Sequence, residues 1–219
     1  VGEPMGEEWV LPRIGTHEDP LRAAIMISGS GSGMEALIHH QQRTNCGHHT
    51  VIVISDKLSA GGLTKAQSLG VSSVVVELPD SENKRRIHEQ EINQILQHQR
   101  VELIILSGYM RILTTEFVKP WAGRLLNIHP SLLPDFPGAH AHRDAIAAKA
   151  TTSGCTVHFV DSAMDSGPIL GQTEVPVYPD DDESSLGERV KIAEHKLYPQ
   201  IIDRLARGDI QSPSNLQAN

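Results

Sequence analysis

Short runs of consecutive apolar residues, each followed by a segment with helical spacing, constrain this chain most. Residues 23–28 (AAIMIS), 50–55 (TVIVIS), 73–78 (SVVVEL), 101–107 (VELIILS) and 123–128 (GRLLNI) read as strands. Between them Met34, Leu37 and Ile38 recur at i, i+3 and i+4. Thr64 to Leu69 suits a second helix, and Ile87, Ile92, Ile95 and Leu96 mark one side of a polar third. Strands without polar alternation are apolar on both faces, so both faces must be covered. Parallel strands joined by crossover helices meet that need. Beyond Arg143 a helix around 144–149 leads into two more strand-like runs, 155–160 (CTVHFV) and 168–178 (PILGQTEVPVY). A closing helix carries Leu186, Val190, Ala193, Leu197, Ile201 and Leu205 three or four residues apart. No repeat or linker divides the pattern, so the expectation is one α/β domain over residues 22–210. Residues 1–21 read as a flexible extension and 211–219 as a flexible tail.

Composition removes several classes of function. A chain of 219 residues can bury a full core without disulfides. Its two cysteines, Cys46 and Cys155, form no C-x-x-C pattern, which suits a reducing, cytoplasmic setting. A formal charge of −8 opposes binding to a nucleic-acid backbone. No apolar run is long enough to span a bilayer, and residues 1–15 contain no secretory signal core. The twelve histidines include His39-His40, His48-His49 and His140-x-His142, yet no H-E-x-x-H or Cys/His ligand spacing occurs, so no metal is expected.

Four constellations carry chemistry. SGSGSG (28–33) follows the first strand and opens the first helix, where glycines let backbone N–H groups approach an anion at a helix N-terminus. A plain tight turn is the other reading. The third glycine arrives one residue too early for a dinucleotide fingerprint, although Asp56 after the second strand superficially supports one. Asn127 and His129, two apart in an extended segment, face one volume at the carboxyl end of a strand. The amide can stabilise an oxyanion and the imidazole can move a proton, or both can simply cap the strand end. VDSAMDSGPIL (160–170) offers Asp161 or Asp165 as a carboxylate that favours the charged imidazole and raises its pKa, or as an Asx-turn. Lys191 and Glu194 stand at i and i+3, the usual spacing of a solvated ion pair. His158, between Val157 and Phe159, belongs either to the wall of the site or to the core.

These stretches, together with SGYMRIL (107–113), GRLLNIHPSLLPDFPGAHAHR (123–143), GCTVHFVDSAMDSGPIL (154–170) and VKIAEHKLYP (190–199), resemble the phosphoribosylglycinamide formyltransferases (glycinamide ribonucleotide transformylases). The resemblance runs from about Ala23 to Arg207. It implies a Rossmann-like formyltransferase fold with a mostly parallel seven-stranded sheet and helices on both faces. It also implies formyl transfer from 10-formyltetrahydrofolate to the amine of glycinamide ribonucleotide, in a monomer or homodimer. By the same resemblance Asn127, His129 and Asp165 are catalytic, with the tetrahedral intermediate held by Asn127 and His129. Gly31, Ser32 and Gly33 hold the substrate's phosphate through backbone N–H groups. Lys191 serves the phosphate and Glu194 the amine. Met110, Arg111, Ile112 and Leu113 line the folate pocket, and Arg85, with Arg86 as its neighbour and alternative, meets the folate carboxylate. Such enzymes commonly carry Asn where this chain has Gly33, so a side-chain role there is lost. Formyltetrahydrofolate hydrolases, which use His where this chain has Pro130, and methionyl-tRNA formyltransferases share the core. A dinucleotide-dependent dehydrogenase shares only the first strand and loop.

Overall fold

The computed structural model describes residues 8–43, 45–163 and 165–213. Residues 1–7 and 214–219, where parts of the two expected tails fall, lie outside them. The strands are β1 (Leu21–Ile27), β2 (His48–Ser55), β3 (Ser73–Val75), β4 (Leu103–Leu106), β5 (Leu125–His129), β6 (Thr152–Phe159) and β7 (Ile169–Pro176). They form one sheet in the order β3-β2-β1-β4-β5-β6-β7. The pairings from β3 to β5 are parallel, and those of β6 with β5 and β7 are antiparallel. The helices are α1 (Ser32–Arg43), α2 (Gly61–Ser68), α3 (Lys84–His98), α4 (Thr115–Val118), α5 (Ala141–Ala147) and α6 (Glu183–Ala206).

Successive residues of β1 alternate between two cores. Ala23, Ile25 and Ile27 pack with Met34, Leu37 and Ile38 of α1 and with the apolar stripe of α6. Ala24 and Met26 pack with Ile92 and Leu96 of α3 and with Phe117 and Trp121. The continuous apolar strand therefore serves two faces, as its pattern requires. All six residues of the expected α6 stripe are buried, and Asp182 caps that helix in a reciprocal pair with Ser185.

The differences from the sequence reading are local. β3 is three residues long rather than six, because it is an edge strand and the chain leaves it at Val76. α5 begins at Ala141, earlier than expected, and β6 begins at Thr152, where its antiparallel pairing with β7 starts. Residues 8–20, read as part of a loose extension, are tied to the domain. Val10 donates its N–H to Ala122 O, Gly15 to Ala206 O, and Trp9 lies 5.6 Å from Phe159, centroid to centroid.

The crossover direction reverses between β1 and β4, which are neighbours in the sheet. Loops at the carboxyl ends of strands beside such a point form a cleft in open α/β sheets. Here those loops are SGSGSG after β1 and SGYMRIL after β4.

Candidate active site

His129 ends β5, and the segment after it folds back over its own ring. Thr156, the β6 residue opposite His129, donates its hydroxyl to Ser131 O (2.7 Å) and accepts Leu133 N–H (3.0 Å). Ser131 in turn donates to Asp135 O (2.5 Å) and Phe136 O (3.1 Å). This clamp brings Phe136 O to 3.0 Å from His129 Nε2. A carbonyl oxygen only accepts, so Nε2 must carry a proton. The other nitrogen, Nδ1, lies 3.5 Å from Asp165 Oδ2. Both ring nitrogens thus face acceptors, and the imidazolium is the form that can donate to both.

The choice between the two aspartates is settled by backbone geometry. Asp161 accepts Ala163 N–H (3.1 Å) and the Ser166 hydroxyl, shaping the loop as an Asx-turn does. Asp165, in the left-handed region at φ 52°, turns toward the histidine and also accepts Gly138 N–H at 3.0 Å. Two residues on, Gly167 allows the loop to lie against the end of β6. A Cβ there would sit 1.8 Å from Phe159 O.

Asn127 stands opposite His158 in the β5–β6 register, so their side chains share a face. His158 Nδ1 lies 2.8 Å from Phe159 O and must donate to it, which leaves Nε2 as an acceptor for Asn127 Nδ2 at 3.3 Å. Burial lowers the His158 pKa and favours this neutral ring. The acceptor fixes which way the Asn127 amide faces and leaves its second N–H for another partner. His158 Nε2 is also 3.9 Å from Asp165 Oδ1. The alternation in CTVHFV placed His158 on one side of a strand, but only the register shows that it belongs with Asn127. The Phe136 carbonyl and Gly138 amide are backbone groups, and no residue type announces them.

Two clefts lie at the carboxyl end of the sheet, and one of them reaches the chain neighbours of His129. One, of about 300 Å³, is lined by Gly31, Ser32 and Gly33, by Ser107, Ile128 and Pro130, and by Glu194, His195 and Tyr198. Gly31 is left-handed (φ 69°), and a Cβ there would meet Gly62 Cα at 2.7 Å, so the loop requires glycine at that point. At Gly33 a Cβ would come within 2.6 Å of Ser107 Oγ, so the bare backbone here accommodates that hydroxyl. Burial pushes the Glu194 carboxyl up to about 7, against the opposing pull of Lys191. Lys191 itself pairs with Glu188 at 2.7 Å, so the i, i+3 ion pair is Glu188–Lys191 rather than Lys191–Glu194.

The other cleft, of about 640 Å³, is lined by Arg85 and Arg86, by Met110, Arg111, Ile112 and Leu113, and by Leu78 and Tyr109. Its lining combines apolar and basic side chains with Glu82 and Glu89, and it shares Met110 with the first cleft. Asp56 accepts from Arg111 Nε at 2.6 Å, with its side chain fully buried. It is thereby engaged within the protein, which removes the feature that superficially supported a dinucleotide site.

The formyl transferase family profile matches residues 21–202. Phosphoribosylglycinamide formyltransferase of Escherichia coli (strain K12) is 35% identical over 195 residues, covering 89% of this chain and 92% of that protein. The chain belongs to the formyl transferase family. A solved structure of phosphoribosylglycinamide formyltransferase from Brucella melitensis matches this formyl transferase chain with a TM-score of 0.82 and 45% identity, covering 88% of it and 99% of the other. The trifunctional purine biosynthetic protein adenosine-3 of Drosophila melanogaster is 44% identical over 189 residues. The chain spans only 14% of that protein's length. The seven-stranded, mostly parallel sheet is the fold that membership in the family implies.

Proposed function

We propose that this chain transfers the formyl group of 10-formyltetrahydrofolate to the amine of glycinamide ribonucleotide, as a cytoplasmic step of purine synthesis. The observation that carries the reading is the convergence of Asn127, His129 and Asp165 around His158, next to the cleft that Ile128 and Pro130 help to line and that shares Met110 with a second cleft of different character. In that second cleft, apolar side chains together with Arg85 and Arg86 suit a flat ring system ending in carboxylates. The glycine loop at the start of α1 suits a phosphate, held by the N–H groups of Gly31, Ser32 and Gly33. Glu194 lies in that same cleft, where its carboxylate attracts an amine, and Lys191 on the same helix adds positive charge for the phosphate.

In the proposed reaction the neutral amine adds to the formyl carbon, and the carbonyl electron pair moves onto oxygen. Asn127 donates its free amide N–H to that oxyanion, and the charged His129 adds electrostatic stabilisation. Collapse of the intermediate breaks the bond between the formyl carbon and the folate nitrogen. That nitrogen gains a proton from His129, and the proton lost by the attacking amine returns by way of Asp165 and water. Asp165 supports the imidazolium by charge and by orientation. Holding both substrates side by side supplies much of the acceleration.

The test is tetrahydrofolate release from 10-formyltetrahydrofolate with and without glycinamide ribonucleotide. Release that requires the amine supports the transfer, whereas equal release without it assigns the chain to hydrolysis. Asn127→Ala is expected to lower kcat by about 10²–10³, and near-normal turnover would remove its assigned role.

A further inference from the structure

At the opposite end of the sheet from the catalytic clefts, four side chains meet that the formyl-transfer chemistry does not use. His40 stands in the last turn of α1, Cys46 in the connection that follows, His48 at the start of β2 and Asp203 in the last turns of α6. One donor atom from each, two imidazole nitrogens, a thiol sulfur and a carboxylate oxygen, lies within 4.8 Å of all the others. The two imidazoles aim Nε2 at different oxygens of the same carboxylate, each at 2.9 Å. The His48 side chain is fully buried and that of Asp203 is one-fifth exposed.

We propose that His40, Cys46, His48 and Asp203 form a binding site for a divalent transition metal ion of the zinc class. A tetrahedral zinc ion bound at about 2.0–2.3 Å separates its ligand atoms by roughly 3.3–3.8 Å, so these four donors would close on it through shifts of about 1 Å. The donor set selects the class. Thiolate with imidazole suits zinc or cobalt, whereas calcium and magnesium require oxygen ligands. Protons hold the site together in the metal-free state. Gln41 Oε1 accepts both the N–H and the hydroxyl of Thr50, so the Gln41 NH₂ faces His48 Nδ1 at 2.9 Å. That contact places the His48 proton on Nε2, toward Asp203. Coordination moves this proton to Nδ1 and obliges the Gln41 amide to turn aside, shifts the His40 Nε2 proton to the other nitrogen of its ring, and releases the Cys46 thiol proton to solvent. The ion would replace a proton-held contact with a cross-link between α1, β2 and the end of α6. Sequence spacing does not show the site, because Asp203 lies 155 positions from His48.

The experiment uses the full, untagged chain stripped with chelator and titrated with Co(II), then with Zn(II). One equivalent of Co(II) is expected, with tetrahedral visible bands and a thiolate-to-cobalt charge-transfer band, and Zn(II) displaces it. Saturating Zn(II) raises Tm by about 5–10 °C at a hundredfold excess over Kd. Loss of His48 risks the fold, so the variants are Cys46→Ser and His40→Gln, each expected to weaken Zn(II) binding at least about tenfold. Cys46→Ser also abolishes the charge-transfer band, with turnover unchanged. Gln41→Glu, which offers His48 Nδ1–H an acceptor while still accepting from Thr50, tightens binding. Absence of stoichiometric uptake at micromolar metal, or uptake unaltered by both Cys46→Ser and His40→Gln, would overturn the proposal.

Discussion

Asp165 and Glu194 are both carboxylates beside a cleft, yet their surroundings give them opposite tasks. Asp165 accepts Gly138 N–H and faces His129 Nδ1, so its negative charge is compensated. In Asp165→Asn one oxygen can still accept from Gly138, while the charge opposite the imidazole is lost. The expected outcome is a fall in kcat of about 10²–10⁴, with a nearly unchanged Tm and little change in KM for either substrate. A matching loss of Tm would make the residue structural. Glu194 is held near pH 7 by burial. For an acid whose folded pKa exceeds its unfolded value, the native state retains a proton that the unfolded chain has lost. Stability therefore falls as pH rises from about 4.5 to about 7, and remains reduced above that window. Glu194→Gln is expected to raise stability at pH 8 by roughly 1–3 kcal/mol relative to the parent chain and to change it little at pH 4.5. Thermal melts at the two pH values check this, and an equal gain at both would show that ionisation is not the cause.

The loop between β6 and β7 illustrates how an element's path selects which residue meets His129. Asp161 and Asp165 have similar sequence settings, but Asp161 closes the turn on which Asp165 is mounted. Gly167 allows that turn to return against β6, since any Cβ would collide with Phe159 O. Gly167→Ala is expected to displace Asp165 and to lower kcat at least about tenfold, as small misplacements in a positioned site do. Affinity for the proposed phosphate-bearing substrate should persist, because the glycine loop proposed to hold it belongs to a different element. Single-turnover rates combined with equilibrium binding separate the two effects. If the rate holds, the loop tolerates the displacement and Asp165 is not position-critical.

At the scale of the whole molecule, residues 8–20 act as a strap joining segments distant in sequence. Trp9 packs near Phe159 on β6, and Ser212, beyond α6, donates its hydroxyl to Trp9 O at 3.2 Å. Gly123, just before β5, is shaped for the same strap, since a Cβ there would meet Val10 O at 2.7 Å. Trp9→Ala is expected to cost roughly 1–3 kcal/mol of stability through lost apolar burial. Chemical denaturation measures it, and an unchanged midpoint would mean that the strap contributes nothing to the folded state.

The apolar runs and the α6 stripe determined the class of fold unaided, because parallel strands must be apolar on two faces and a covering helix on one. The spacing of Asn127 and His129 determined that they share a side of β5, since strand geometry is local. Which aspartate meets His129 required the path of a loop, and His158's place beside Asn127 required the register of two strands that the sequence separates by 31 positions. The contacts of Phe136 O and Gly138 N–H with His129 and Asp165 also required the folded chain. Backbone groups are common to every residue and acquire direction only from tertiary structure. Local physics chose the elements, and long-range packing chose which side chains meet.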